Sequence, residues 1–121
     1  MRHCLVVDDS SVIRKVARRI LEGFDFEVTE AEDGVEALNA CRRHMPDVII
    51  LDWHLPAKDG LDVLVSLRQM ENGSIPKVVF CVSEADVAHI ARALRAGADE
   101  YILKPFDRAL VETKLHDVGM L

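Results

Sequence analysis

Residues 47–52, Asp-Val-Ile-Ile-Leu-Asp, form the stretch that decides the fold of this chain. Its apolar residues follow one another without polar alternation, which is typical of a strand covered on both faces in a parallel sheet. The run stops abruptly at a carboxylate, Asp52. A second run of this kind, His3–Val7, stops at Asp8 and Asp9. Two buried strands are therefore predicted, each with acidic residues at its carboxyl end.

The rest of the chain alternates between helical and extended patterns. After the first strand, Ser10 or Ser11 can cap a helix, and Gly23 is expected to end it in the left-handed conformation. The remaining strands are predicted at residues 26–29, 78–82 and 101–103. Further helices are predicted from Asp33-Gly34, after the turn that ends at Gly60, through Val87 to Gly97, and from near Asp107. This order predicts an α/β fold with a parallel sheet, right-handed crossovers and helices on both faces.

Length and composition exclude several classes of protein. The 121 residues suit one domain, and the net charge of −6 argues against direct nucleic-acid binding. We find no apolar run long enough for a membrane span, and no signal peptide. Cys4, Cys41 and Cys81 lie far apart without a CxxC pair, which excludes a disulfide framework or zinc site and fits the cytoplasm. The histidines also lack metal-ligand spacing, and surface or edge positions are expected for His3, His44, His89 and His116.

Polar residues follow the ends of four predicted strands. In a doubly wound sheet these ends meet at one edge, where ligands bind. Three carboxylates that meet there repel one another, and a divalent cation removes that repulsion. Hard oxygen ligands in an open site favour Mg²⁺ together with phosphate oxygens. The sequence therefore predicts a site for Mg²⁺ and phosphoryl transfer, built from Asp8, Asp9, Asp52, Ser83 and Lys104.

These residues and the sequence around them resemble the receiver domain of two-component response regulators. The resemblance covers the whole chain, 1–121, in the expected order and spacing. It is carried by Val6-Val7-Asp8-Asp9-Ser10, Asp33 to Leu38, Asp47 to Asp52, Leu55-Pro56 with Asp59-Gly60, Ala96 to Tyr101, and Lys104-Pro105-Phe106. It implies a three-layer α/β/α sandwich with a five-stranded parallel sheet of flavodoxin-like order 2-1-3-4-5 and five helices.

The resemblance also implies a role for each site residue. Asp52 is expected to accept a phosphoryl group from a phosphohistidine, and Lys104 to pair with that carboxylate and later with the phosphoryl oxygen. Asp9 and Asp52 are expected to bind Mg²⁺ directly, Asp8 through a water molecule, and His54 through its backbone carbonyl. A cis peptide bond is expected before Pro105, and Tyr101 is expected to be an aromatic switch.

The hydroxyl position after the fourth strand stays open. Counting back from Lys104 without a gap places Val82 there, and a shift of one residue places Ser83 there. We favour Ser83, and we expect its hydroxyl both to bind the phosphoryl group and to take part in the switch. If Val82 holds the position, no side-chain donor meets the phosphoryl group.

The function expected from the resemblance is that of a stand-alone response regulator that catalyses only its own phosphorylation and dephosphorylation. Its partners would be a sensor histidine kinase or a histidine phosphotransfer protein, and a downstream protein. The downstream protein would bind the fourth helix, fifth strand and fifth helix, including the stripe Ala85, His89, Arg92 and Ala96. No nucleic-acid or membrane partner is expected.

Three other functions would use a similar fold or similar residues. A Mg²⁺-dependent phosphatase of the haloacid dehalogenase type needs a second acid two residues after the nucleophile, where this chain has His54. A flavodoxin-like flavin binder needs a phosphate loop after the first strand, where Asp8 and Asp9 would repel phosphate. A degenerate receiver, which binds partners without being phosphorylated, stays open because of Val82.

Overall fold

The computed structural model of the chain describes residues 1–121, apart from the side chain of Ala85. Strands and helices alternate along the whole chain, as the sequence predicts. The strands are β1 (His3–Val7), β2 (Glu27–Ala31), β3 (Val48–Asp52), β4 (Lys77–Val82) and β5 (Glu100–Leu103). The helices are α1 (Ser11–Glu22), α2 (Gly34–Arg43), α3 (Gly60–Gln69), α4 (Ile90–Ala96) and α5 (Arg108–Asp117), and a 3-10 helix (Glu84–His89) precedes α4.

The five strands form one parallel sheet in the order β2-β1-β3-β4-β5. The predicted fold class and strand order are confirmed. Strand order reverses between β1 and β3, which carry Asp8-Asp9 and Asp52 at their carboxyl ends. A doubly wound sheet binds ligands at such a point, because the two flanking loops diverge there and leave a crevice.

Apolar layers cover both faces of the sheet. On one face, α1 and α5 bury Leu21 and Leu115 against Val6 and Ile50. On the other, α2, α3 and α4 cover a second layer around Phe80. All residues of β1 and β3 are buried, so the continuous apolar runs have the environment predicted for them.

Local hydrogen bonds fix the starts of three helices. The side chains of Ser10, Asp33 and Asp107 each accept a hydrogen bond from the backbone N–H of the third residue that follows. These bonds satisfy N–H groups that have no partner inside the helix. Because Ser10 caps α1, the backbone turns from β1 into α1 immediately after the two aspartates.

Two predictions about helix ends differ from the structure. Gly23 has φ −64°, so it is right-handed, and the left-handed residue after α1 is Asp25 at φ 66°. The helix predicted through Val87 is divided into the 3-10 helix and a short α4, which ends at the left-handed Gly97 as predicted. In this part of the chain the tighter 3-10 geometry replaces the α-helical one.

His3 is buried, and the expectation that it lies at the surface or at an edge was wrong. β1 pairs with strands on both sides, so its residues lie in the middle of the sheet. The His3 Nε2 lies 2.6 Å from Thr29 Oγ1, and its ring stacks on His44 with centroids 4.5 Å apart. Burial, then the nearby His44, lowers the pKa of His3.

Within the part of the chain that the structure describes, no helix has both the length and the hydrophobicity needed to cross a bilayer.

Candidate functional site

Three strands deliver their charged residues to the same edge of the sheet. Asp8 follows β1 directly, Asp52 ends β3, and Lys104 follows β5 directly. Along each strand these residues continue the alternation of side chains that face α1 and α5, such as Val6, Ile50 and Ile102. Parallel pairing and alternation together bring side chains that are far apart in sequence to one place.

The carboxylates of Asp8, Asp9 and Asp52 form a cluster that we call the acidic cup. One oxygen from each lies within 4.8 Å of the others. Asp8 and Asp52 are buried and Asp9 is exposed. The Lys104 Nζ lies 2.6 Å from Asp8 Oδ2 and 3.1 Å from Asp52 Oδ1. The structure therefore brings together the four charged residues that the sequence predicts for the site.

Backbone groups hold Asp8 in place. Its N–H donates to the carbonyl of Ala31 on β2, at 3.1 Å. The N–H of Ser10 donates to Asp8 Oδ1 at 2.9 Å, which leaves Oδ2 for Lys104. Arg14 Nη1 donates to the Asp8 carbonyl at 2.6 Å, and Arg14 also pairs with Glu30 on β2. This contact of Arg14 was not predicted, because helical spacing alone does not show where a long side chain ends.

A close backbone contact fixes Asp52. A Cβ atom on Gly60 would lie 2.1 Å from the Asp52 carbonyl oxygen and 2.9 Å from the Phe80 ring. The N–H of Gly60 donates to the Trp53 carbonyl at 2.9 Å. The start of α3 can therefore pack directly under the end of β3 because residue 60 has no side chain.

Electrostatics in the acidic cup disfavour the ionised form of Asp52. Burial raises the pKa of Asp52 above its ordinary value, and repulsion from Asp8 adds to the shift, while the Lys104 cation opposes it. Burial alone would lower the pKa of Lys104, but its hydrogen bonds and attraction to Asp8 and Asp52 raise it. Lys104 is therefore a cation in this site over the whole physiological range of pH.

The donor set fits Mg²⁺. The three carboxylates outnumber the one ammonium by two, so the site retains negative charge that a divalent cation can neutralise. All three ligand side chains offer oxygen, and one of them is exposed to solvent. Mg²⁺ prefers oxygen ligands and retains several waters, which an open acidic site permits.

Val82 and Ser83 have different surroundings. Val82 is 1% exposed and packs in the apolar layer under α2, α3 and α4. Side chains alternate between the two faces of the sheet along β4, so Ser83 lies on the same face as Cys81 and Asp52. Its hydroxyl donates to Asp86 Oδ2 at 2.7 Å. The carboxylate of Asp86 also lies 3.0 Å from His54 Nε2. Sequence reasoning missed Asp86.

The other residues predicted for the site, the switch and the output surface have their own surroundings. The Lys104–Pro105 peptide bond is cis. Tyr101 is half-buried, with Lys114 Nζ 4.3 Å from its ring centroid. His54 exposes most of its side chain. Of the predicted stripe, the exposed Arg92 and the half-buried His89 and Ala96 are described, and the side chain of Ala85 lies outside the described residues.

Fold and site together define a doubly wound α/β domain with an acidic site at its topological switch point. The family model of the response regulator receiver domain matches residues 4–116. The chain therefore belongs to the response regulator receiver domain family. It is a receiver domain of the CheY-like type found in two-component signalling, and domains of this family are signalling modules rather than classic enzymes.

Curated relatives agree with this assignment. Chemotaxis protein CheY of Halobacterium salinarum is 35% identical over 118 residues, which cover 97% of this chain and 96% of the relative. Transcriptional regulatory protein CseB of Streptomyces avermitilis is 35% identical over 116 residues, which cover 96% of this chain. The matched part is 48% of CseB, so the chain spans about half the length of that relative.

Solved structures share the fold. The chemotaxis response regulator CheY4 of Vibrio cholerae superposes with a TM-score of 0.91 at 28% identity and 98% coverage of both chains. The receiver domain of the sensor histidine kinase PA1611 of Pseudomonas aeruginosa gives a TM-score of 0.87 at 28% identity and the same coverage. That structure holds a magnesium ion coordinated in its active-site cleft.

Proposed function

We propose that Asp52 accepts a phosphoryl group from a phosphohistidine on a sensor histidine kinase or a histidine phosphotransfer protein. The observation that carries this proposal is the buried Asp52 carboxylate, which lies beside Asp8 and Asp9 and 3.1 Å from Lys104. Family members interact with such kinases and phosphotransfer proteins, which supports this choice of donor.

The proposed transfer is a nucleophilic displacement at phosphorus. An ionised oxygen of Asp52 forms the new P–O bond, the P–N bond of the phosphohistidine breaks, and its electron pair stays on the imidazole nitrogen. The product is an acyl phosphate on Asp52. Attack of water on this phosphorus later restores the carboxylate and releases inorganic phosphate. The transferred group spreads its charge over its equatorial oxygens, so positioned cations and donors lower the barrier.

Chain residues supply several of these groups. The ammonium of Lys104 would move from Asp52 towards a phosphoryl oxygen, and the Ser83 hydroxyl would donate to another. Asp9, Asp52 and the backbone carbonyl of His54 would hold Mg²⁺, with Asp8 binding through a water. Bound Mg²⁺ would neutralise negative charge on the carboxylates and the phosphoryl oxygens.

The output of this domain is proposed to be protein binding in the cytoplasm. Phosphorylation adds nearly two negative charges and strong acceptors at Asp52, on the face of the sheet that Ser83 also occupies. A move of that hydroxyl, followed by Tyr101, would change the surface of α4, β5 and α5. A downstream protein would then bind this surface with different affinity in the two states.

Incubation with acetyl phosphate and Mg²⁺ tests the proposal. We expect intact-protein mass spectrometry to find one acid-labile phosphoryl adduct per chain. Asp52→Asn abolishes the adduct, because the amide has no ionised oxygen to form the bond. Asp62→Asn, at an exposed acid in the first turn of α3, is the matched control and retains it.

Other results of this experiment would contradict the proposal. Steady release of phosphate in large molar excess would indicate a phosphatase. No adduct on the wild type, even with Mg²⁺, would indicate a degenerate receiver that works by phosphorylation-independent binding. An adduct that persists in Asp52→Asn would place the acceptor elsewhere.

A further inference from the structure

Asp86 lies at the centre of a group of side chains outside the acidic cup, which we call the Asp86 cluster. Its Oδ2 accepts a hydrogen bond from Ser83 Oγ at 2.7 Å and lies 3.0 Å from His54 Nε2. Its Oδ1 lies 3.9 Å from His89 Nε2. The Asp86 side chain is 16% exposed and its bond to Ser83 is partly shielded from water, whereas the contact with His54 is exposed.

The Asp86 cluster joins two segments that flank the nucleophile. His54 belongs to the loop that leaves Asp52, whereas Ser83 and Asp86 belong to the turn that leaves β4. A second contact joins the same segments, because the ring of Trp53 stacks on His89 with centroids 4.5 Å apart and planes 18° apart. The loop after β3 and the turn after β4 are therefore linked at two points.

The hydroxyl of Ser83 has a single proton to donate. In this structure it donates to a carboxylate, which is a charge-assisted and therefore strong hydrogen bond. The same proton cannot at that moment stabilise a phosphoryl oxygen on Asp52. The acceptor on Asp86 and the proposed acceptor on phosphorylated Asp52 must compete for it.

We propose that Asp86 is a positioning residue that stabilises the unphosphorylated conformation by holding the Ser83 hydroxyl and the His54 loop. This inference rests on the proposed phosphoryl-acceptor function and adds a regulatory element to it. Phosphorylation of Asp52 shifts the domain to a second conformation by drawing Ser83 away from Asp86. The free energy of the bond to Asp86 opposes that shift, so Asp86 sets how readily the activated state forms.

Binding of beryllium fluoride, a tetrahedral mimic of the phosphoryl group, tests this role in the presence of Mg²⁺. The readout is the fluorescence of Trp53, the one tryptophan of the chain, which follows Asp52 and touches the Asp86 cluster through His89. We expect Asp86→Ala to lower the apparent dissociation constant about three- to tenfold, because Ser83 no longer has to leave a carboxylate. Asp86→Asn, which retains the size of the side chain, shifts the constant in the same direction by less.

Two controls separate this role from a general effect. Glu84→Ala removes an exposed negative charge from the same 3-10 helix, and we expect its dissociation constant to stay within about twofold of the wild type. In a Ser83→Ala background, Asp86→Ala should have no further effect, since the hydroxyl for which the two acceptors compete is gone.

Two results would overturn the role of Asp86 if the wild type binds beryllium fluoride. One is an unchanged affinity of Asp86→Ala for the mimic, and the other is an equal gain in affinity from Asp86→Ala with and without the Ser83 hydroxyl. A wild type that neither binds beryllium fluoride nor forms the acetyl phosphate adduct would overturn the acceptor function itself, and the role of Asp86 with it.

Discussion

Asp52 combines two properties that oppose each other, a buried position and a negative charge. Burial and the neighbouring Asp8 raise the pKa of Asp52 in the folded protein. Above that pKa the folded state holds a charge that the unfolded chain solvates better, so ionised Asp52 lowers the free energy of unfolding. The carboxylate that we propose as the nucleophile therefore reduces the stability of the free domain.

Asp52→Asn should consequently stabilise the fold without metal. We expect the free energy of unfolding to rise on the order of 1 kcal/mol at pH 7 in EDTA. The gain should shrink as the pH falls through the raised pKa of Asp52 and vanish below the unfolded value of about 3.9, where the wild type is also neutral. Urea unfolding over this range of pH measures it. A less stable variant, or a gain independent of pH, would contradict the argument.

Substitutions at Val82 and Ser83 distinguish the two candidates for the hydroxyl position. If Ser83 serves, Ser83→Ala should lower the yield of the acetyl phosphate adduct severalfold, since one donor to the phosphoryl group is lost. Val82→Thr should not raise the yield, and should lower the free energy of unfolding by about 1–3 kcal/mol because its hydroxyl enters an apolar layer. A higher yield from Val82→Thr, with unchanged stability, would assign the position to residue 82 instead.

At the scale of elements, the junction of β3 and α3 depends on close backbone packing. The closest atom to a Cβ on Gly60 would be a backbone oxygen of Asp52, which cannot move away as a flexible side chain can. The Cβ of a residue at position 23 would instead meet the end of the Arg108 side chain at 2.9 Å, and its nearest backbone atom would be the Ile20 carbonyl oxygen at 3.2 Å. Gly23 follows the end of α1 and Gly60 begins α3, and the two glycines differ in what surrounds them.

Gly60→Ala should therefore destabilise the domain by about 3 kcal/mol or more, through displacement of α3 and the end of β3. Gly23→Ala should change stability by less than about 1 kcal/mol, because φ −64° suits any residue and the Arg108 end can move. Thermal unfolding of both variants gives the comparison. Similar losses of stability in Gly60→Ala and Gly23→Ala would show that the contact between residue 60 and the Asp52 carbonyl does not determine the stability of the domain.

At the scale of the whole molecule, metal binding should couple to folding. The unfolded chain does not hold the three carboxylates of the acidic cup together, so we expect Mg²⁺ to bind the folded state preferentially. The carboxylates of the acidic cup come from the ends of both β1 and β3. The free energy of metal binding therefore stabilises the sheet that these strands form. Repulsion among the carboxylates falls at the same time.

We expect Mg²⁺ at about a hundred times its dissociation constant to raise the free energy of unfolding by about 2.7 kcal/mol over EDTA. Asp9→Ala should lose most of this gain, since an exposed ligand is removed without disturbing the bond between Lys104 and Asp8. Glu32→Ala is the matched control, because Glu32 is an exposed member of a second acidic group with Asp33 and Glu36. If Mg²⁺ raised the free energy of unfolding equally in the wild type, Asp9→Ala and Glu32→Ala, the metal would bind elsewhere.

The sequence by itself determined the fold and the members of the acidic cup. Unbroken apolar runs such as Val48–Leu51 are typical of strands in a parallel sheet covered on both faces, and parallel strands bring their carboxyl ends to one edge. Those two facts place Asp8, Asp52 and Lys104 at one edge of the sheet, and the strand order implied by the resemblance to receiver domains places them close together there.

Tertiary structure alone decided how neighbouring polar groups are paired. Ser83 and Asp86 are close in sequence, but their bond to each other and the contact with His54 depend on the 3-10 turn and on the loop opposite it. Burial of His3 likewise depends on β1 being a middle strand. The periodicity of apolar residues in a sequence indicates which face of a strand or helix a residue occupies. The pairings described above depend instead on where two separate segments meet in space.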